Sequence, residues 1–72
     1  MRRLRDLRED RDMTQSDIAK MLGVTQTTYS RYESGVLNPP IDVLKELALY
    51  YETSIDYLVD FTDERNGYKR KK

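Results

Sequence analysis

Gln26, Thr27, Ser30, Arg31 and Ser34 fall within nine residues of one another. At about 100° per residue they share one side of a helix whose other side carries Tyr29 and Tyr32. The chemistry open to that polar side is hydrogen bonding to the base edges of duplex DNA. Gln26 can pair in bidentate fashion with adenine N6 and N7, Arg31 can do the same with guanine O6 and N7, and the Thr27 methyl suits a thymine methyl. Long acidic side chains would be repelled from a groove, and large apolar ones could not read it. Ser30 and Ser34, with Thr25 ahead of them and Asn38 beyond, carry hydroxyl and amide groups suited to phosphate oxygens. Gln15 belongs with these phosphate candidates, because it opens the preceding helix, where its amide and the free first-turn amides could reach one phosphate. On an isolated helix the same polar residues would be read as a solvated surface. The elements around them decide otherwise.

Those elements are short and sharply punctuated. From Arg2 to Arg11, Leu4 and Leu7 make one apolar stripe among charges, which predicts a first helix that Asp12 can end in a left-handed conformation. Thr14 is placed as an N-cap, with Asp17 three residues on for a capping box. The second helix runs to about Leu22 with Ile18, Met21 and Leu22 inward, and Gly23 closes it. Only Gly23 and Val24 lie before Thr25, the next N-cap, so the two helices must meet at a steep angle across a very short turn. Gly35 ends the third helix. Asn38-Pro39-Pro40 form a stiff connection, with a proline expected in the first turn of a fourth helix that buries Ile41, Leu44, Leu47, Ala48 and Tyr51. Ser54 caps a last helix with Ile55, Leu58 and Val59 on its apolar side. The reading is an all-α fold of five helices: a domain over residues 1–61 and a flexible charged tail over residues 62–72.

Composition removes whole classes of function. The 72 residues contain no cysteine and no histidine, so disulfides, thiol nucleophiles, imidazole bases and the usual transition-metal ligands are absent. Asp and Glu fall on helix exteriors without such partners, and there is no glycine-rich phosphate loop. No enzyme, metal or cofactor is expected. The start of the chain has neither the apolar core of a signal peptide nor a membrane-length apolar run, which points to a cytoplasmic protein with no membrane partner. Formal net charge is zero, and residues 1–35 hold seven basic and six acidic side chains against six and seven in residues 36–72. Bulk electrostatics therefore cannot supply DNA affinity, and individual cations must. Arg2, Arg3, Lys20 and Arg31 are candidates, as are Lys69, Arg70, Lys71 and Lys72, although a basic chain end is more readily a solvated tail.

The run from Thr14 to Val24, TQSDIAKMLGV, followed by Thr25 to Gly35, TQTTYSRYESG, resembles the Cro/C1-type (XRE-like) helix-turn-helix family of phage and bacterial repressors. Leu4 to Arg8 is similar to the family's first helix, and Leu44 to Ala48 with Ser54 to Leu58 to its last two. The resemblance implies a compact five-helix, lambda-repressor-like DNA-binding domain that acts as a homodimer on a palindromic operator. It assigns base reading to Gln26, Thr27 and Arg31 and a phosphate contact to Gln15. It also makes Arg8 and Glu33 a salt bridge between the first helix and the end of the third. Three departures stand out: Asp12 where relatives have glycine, Pro40 in place of a serine or threonine cap, so that Asn38 would cap the fourth helix instead, and no Lys or Arg from Val36 to Pro40.

One recognition helix reads few base pairs, so a dimer with half-sites about one helical turn apart is expected. Ile55, Tyr57, Val59 and Phe61 offer more apolar surface than a single stripe needs. That surface could form the twofold contact, and Tyr57 and Phe61 could equally cover the domain's own core. The leading expectation is a small transcriptional repressor with duplex DNA as its partner. The alternatives are an antitoxin or phage-type regulator that also binds a protein, or a helix-turn-helix scaffold that touches no DNA.

Overall fold

The computed structural model describes residues 1–59. They form α1 (Arg2–Asp10), α2 (Gln15–Leu22), α3 (Gln26–Ser34), α4 (Ile41–Tyr50) and α5 (Ile55–Leu58). Helix α3 packs against both α1 and α2, and α5 packs against α4 and α1. Leu4, Leu7, Ile18, Ala19, Tyr29, Tyr32, Leu44, Leu47, Ala48, Tyr51 and Leu58 are buried together between them. Every element thus contributes to one core, as a domain this small requires.

The helix starts follow the side-chain chemistry. The Thr14 hydroxyl accepts from the Asp17 amide at 3.1 Å while the Asp17 carboxylate accepts from the Thr14 amide at 2.9 Å, a complete capping box. The bond from the Thr14 amide, and after it the Thr14 hydroxyl, hold the Asp17 carboxyl below its ordinary range. Thr25 caps α3 by accepting from Thr28 N at 3.1 Å, and Ser54 caps α5 by accepting from Tyr57 N at 3.0 Å. Helix α4 differs from expectation. Its N-cap is Pro40 in an extended conformation, and no side chain caps it. Asn38 stands two positions too early to reach the first-turn amides, and Pro40 lies before the first turn instead of within it.

Three helix ends use one closure. Past α1, α2 and α4, the amides of Met13, Val24 and Thr53 bond back to Arg8 O, Ala19 O and Ala48 O at 3.2, 3.0 and 2.9 Å. That turn needs a left-handed residue. Gly23 provides it at φ 72° with open space where a Cβ would sit, so backbone conformation alone asks for glycine there. Asp12 and Glu52 provide it at φ 55° and 53° against the preference of L-residues. Asp12 is the left-handed terminator anticipated from its type, whereas nothing in the identity of Glu52 marks it. Glu52→Gly is expected to raise stability by about 1 kcal/mol, read as a higher urea midpoint at unchanged slope. A lower midpoint would show that the glutamate side chain contributes more than its backbone costs.

Two expected core positions are not in the core. Met21 is 38% exposed and Ile41 56%; the α2 stripe is Ile18, Ala19 and Leu22, and α4 begins before it meets the other helices. Val59 is also exposed, at 45%. Cations hold the ends together. Arg3 lies over the Tyr57 ring at 4.1 Å and donates to Tyr57 O at 2.8 Å, tying α1 to α5. Arg11 lies over Tyr50 and Tyr51 at 4.8 and 5.4 Å, and the Met1 amine donates to Glu33 O at 2.6 Å. A cation at those last carbonyls of α3 opposes the negative end of the helix dipole.

Candidate nucleic-acid interface

Helix α3 is oriented by its tyrosines. Tyr29 is fully buried and Tyr32 is 4% exposed, and their rings meet edge to face at 6.3 Å. With that side fixed inward, Gln26, Thr27, Arg31 and Ser34 are exposed and Ser30 is half-buried. Gln26, Thr27, Ser30 and Arg31 line a groove of about 370 Å³ together with Gln15 from α2. The three base-reading candidates and two of the phosphate candidates therefore meet in one polar, open groove.

The remaining phosphate candidates are dispersed. The Ser34 hydroxyl donates to Arg31 O at 3.2 Å and faces a second cleft between α1 and α3. The Thr25 hydroxyl is engaged with Thr28, whose own hydroxyl accepts from it at 2.9 Å. Asn38 is exposed and lines a different pocket of about 230 Å³, with Met1, Pro39, Leu44 and Val59, apart from the α3 groove.

Behind the groove, Arg8 and Glu33 are in contact. Arg8 Nε donates to Glu33 Oε2 at 2.7 Å and Nη2 to Oε1 at 3.2 Å, with side chains only 12% and 5% exposed. Arg8 Nη1 also donates to Met13 O at 2.8 Å. The fork fastens α1 to the last turn of α3. A link not anticipated from sequence joins them: Gln15 Nε2 donates to Glu33 Oε1 at 3.1 Å. A carboxylate only accepts, so this bond fixes which end of the Gln15 amide faces inward. Residues 15 and 33 belong to different helices, and no local pattern announces the pairing.

Burial pushes the Glu33 carboxyl upward, but Arg8, Tyr29 and Gln15 outweigh it and hold the group below its ordinary value. The Glu33 carboxylate in turn raises the Arg8 guanidinium. Tyr29 lies close enough to Glu33 for the two to shift each other's protonation, and burial first, then Glu33, pushes the phenol strongly upward. Its hydroxyl nevertheless falls outside hydrogen-bonding geometry.

Of the dimer candidates, Ile55 and Tyr57 are partly buried against the domain's own core, Val59 is exposed, and Phe61 lies outside the described residues, as do the tail and its Lys69, Arg70, Lys71 and Lys72. Arg3, a candidate for phosphate, is engaged with Tyr57. Among the described residues no cluster of acidic side chains is placed to hold a metal, and no helix is long and apolar enough to cross a membrane.

A short turn between two capped helices, the second presenting a polar face, defines the class as an all-α helix-turn-helix domain. Residues 4–58 match the family described as helix-turn-helix, and the chain belongs to that family, in its Cro/C1-type, XRE-like form. It is 37% identical over 62 residues to the uncharacterized HTH-type transcriptional regulator YobD of Bacillus subtilis, covering 86% of this chain and 55% of that protein. It is 35% identical over 69 residues to the cryptic phage CTXphi transcriptional repressor RstR of Vibrio cholerae, covering 96% of this chain and 62% of that protein. An HTH-type transcriptional regulator of Archaeoglobus fulgidus is 34% identical over 62 residues, with 86% and 89% covered. The chain thus spans little more than half the length of the first two. No solved structure matches it.

Proposed function

We propose that this chain regulates transcription by binding specific duplex DNA, as a repressor that occupies its operator. In this reading the domain is residues 1–61, with residues 62–72 a charged tail, and α3 enters the major groove. Gln26, Thr27 and Arg31 read bases, and Gln15, Thr25, Ser30, Ser34 and Asn38 contact phosphates. The observation that carries the reading is the groove shared by Gln15, Gln26, Thr27, Ser30 and Arg31. Its donors face outward on a helix that two other helices hold in place.

The similarity to a phage repressor over nearly the whole chain supports the repressing sign. The small reach of one helix supports a homodimer on a palindromic site, with half-sites about 34–36 Å apart. With Ile55 and Tyr57 largely used inside the fold, Val59 and Phe61 are the better candidates for the twofold contact. A cytoplasmic setting follows from this function.

Selection of binding sites from random duplex DNA tests the reading, because it reports binding, site sequence and dyad spacing together. Gln26→Ala and Arg31→Ala should each weaken binding to the selected site by about 1 to 3 kcal/mol and relax preference at one base position. Equal losses on random DNA would contradict base readout. Failure to enrich any site would favour a protein-binding scaffold.

A further inference from the structure

The α3 groove does not end at Ser30. Gln15 and Ser30 also line the second cleft, of about 370 Å³, which runs back between α1 and α3. Two arginines and two glutamates face it: Arg5, Arg8, Glu9 and Glu33. They are not equivalent. Arg8 places Nε, Nη1 and Nη2 on Glu33 and Met13 and is 12% exposed, so it has little left to offer a ligand. Arg5 is 64% exposed, and Nε is the atom it places on Glu9 Oε2, at 3.3 Å, one helical turn away. Glu9 is itself 52% exposed. Such an exposed pair one turn apart contributes little to stability and can exchange partners readily.

Deepening the DNA-binding reading and resting on it, we propose that this cleft is a phosphate site of the DNA backbone, with Arg5 as its cation and Glu9 as the group that holds Arg5 when no DNA is bound. In helix-turn-helix docking the helix before the recognition helix crosses the backbone, and Gln15 stands at that crossing, between the base-reading groove and the α1 cleft. A strand passing Gln15 meets Arg5 next. The guanidinium can then take a phosphate through its paired terminal nitrogens, a fork a carboxylate and a phosphate both fit. The connection from Val36 to Pro40 carries no cation, so Arg5 supplies from α1 a charge that the loop after α3 lacks. Glu33 does not repel the strand, because Arg8 neutralises it.

The test measures affinity of the whole chain for its selected duplex and for a random duplex of equal length across a salt series. Arg5→Gln is expected to weaken both by the same factor and to reduce the slope of log affinity against log salt by about 0.9. Between about 50 and 200 mM salt that slope change amounts to roughly a threefold smaller loss of affinity. Glu9→Gln, which frees Arg5, is expected to strengthen both complexes, and the gain should shrink when Arg5 is also glutamine. Melting temperatures check that both variants remain folded. An unchanged affinity and slope for Arg5→Gln, or weaker binding by Glu9→Gln, would overturn the proposal. If Gln26→Ala and Arg31→Ala lose sequence preference while Arg5→Gln is silent, this site alone fails. If the unaltered chain binds neither duplex, the DNA reading fails with it.

Discussion

Arg8→Ala is expected to lower stability by about 3 to 5 kcal/mol, the cost of leaving a buried carboxylate without its cation. For a domain of this size that corresponds to a fall in melting temperature of well over 10 °C, enough to leave much of the variant unfolded at 25 °C. The residue left behind explains the magnitude. Glu33 is 5% exposed, and without Arg8 its remaining hydrogen-bond donor is the Gln15 amide. Glu33→Ala should cost less, because Arg8 is nearer the surface and keeps its bond to Met13 O. Replacing both together with Arg8→Met and Glu33→Leu should be milder than Arg8→Ala alone, since neither charge is then buried unpaired. Thermal melts of the four proteins check the order. A fully stable Arg8→Ala that no longer binds DNA would move Arg8 from scaffold to contact.

The pair also sets a pH dependence. The folded-state value of Glu33 lies below its ordinary 4.5, so the stabilisation is fully present above that ordinary value and is lost as pH falls through the lower, folded-state value. Asp17 is lowered as well and adds to the same acid limb. Glu33→Gln should therefore be less stable than the parent at pH 7 and approach it as the pH falls through the folded-state value of Glu33. Parallel stability curves for the two proteins would mean that Glu33 gains nothing from its surroundings.

What could be read from sequence was local. The Thr14 capping box, the Thr25 and Ser54 caps, and Gly23 as a left-handed closure depend on residues within four or five positions, and so do the inward tyrosines of α3. Periodicity faltered at element margins. Ile41 opens α4 before the helix is covered, and Met21 lies to one side of the stripe that Ile18, Ala19 and Leu22 actually bury; a spacing rule does not say which edge of an apolar face the neighbouring helices cover. Asn38 was matched to a cap by residue type, but the extended Pro40 had already taken that position. Contacts across the fold left no local trace. Arg3 on Tyr57 spans 54 residues of sequence, and the Gln15–Glu33 bond joins residues whose separate roles, phosphate contact and brace, gave no reason to pair them. That bond changes the picture of the site most, because it connects the groove to the brace.

The same connection makes Tyr29 the most consequential core residue of α3. Tyr29→Ala removes a fully buried ring, a change that costs about 3 to 5 kcal/mol. A single core of this size rarely supplies more than about that amount in total. The variant should lose most of its far-UV helical signal at 25 °C. Tyr29→Phe should behave quite differently. It keeps the ring and its edge-to-face contact with Tyr32, and it deletes a hydroxyl that lies beside Glu33 without hydrogen-bonding it, so stability at pH 7 should stay within about 1 kcal/mol of the parent. Tyr29 is one of the groups that lower Glu33, so whatever the phenol adds is present at pH 7 and fades as pH falls through the folded-state value of Glu33, where Tyr29→Phe and the parent should converge. A cost above about 2 kcal/mol at pH 7 would mean instead that the phenol donates to Glu33 in solution. Helix α3 would then be held to its carboxylate from inside the core as well as from α1.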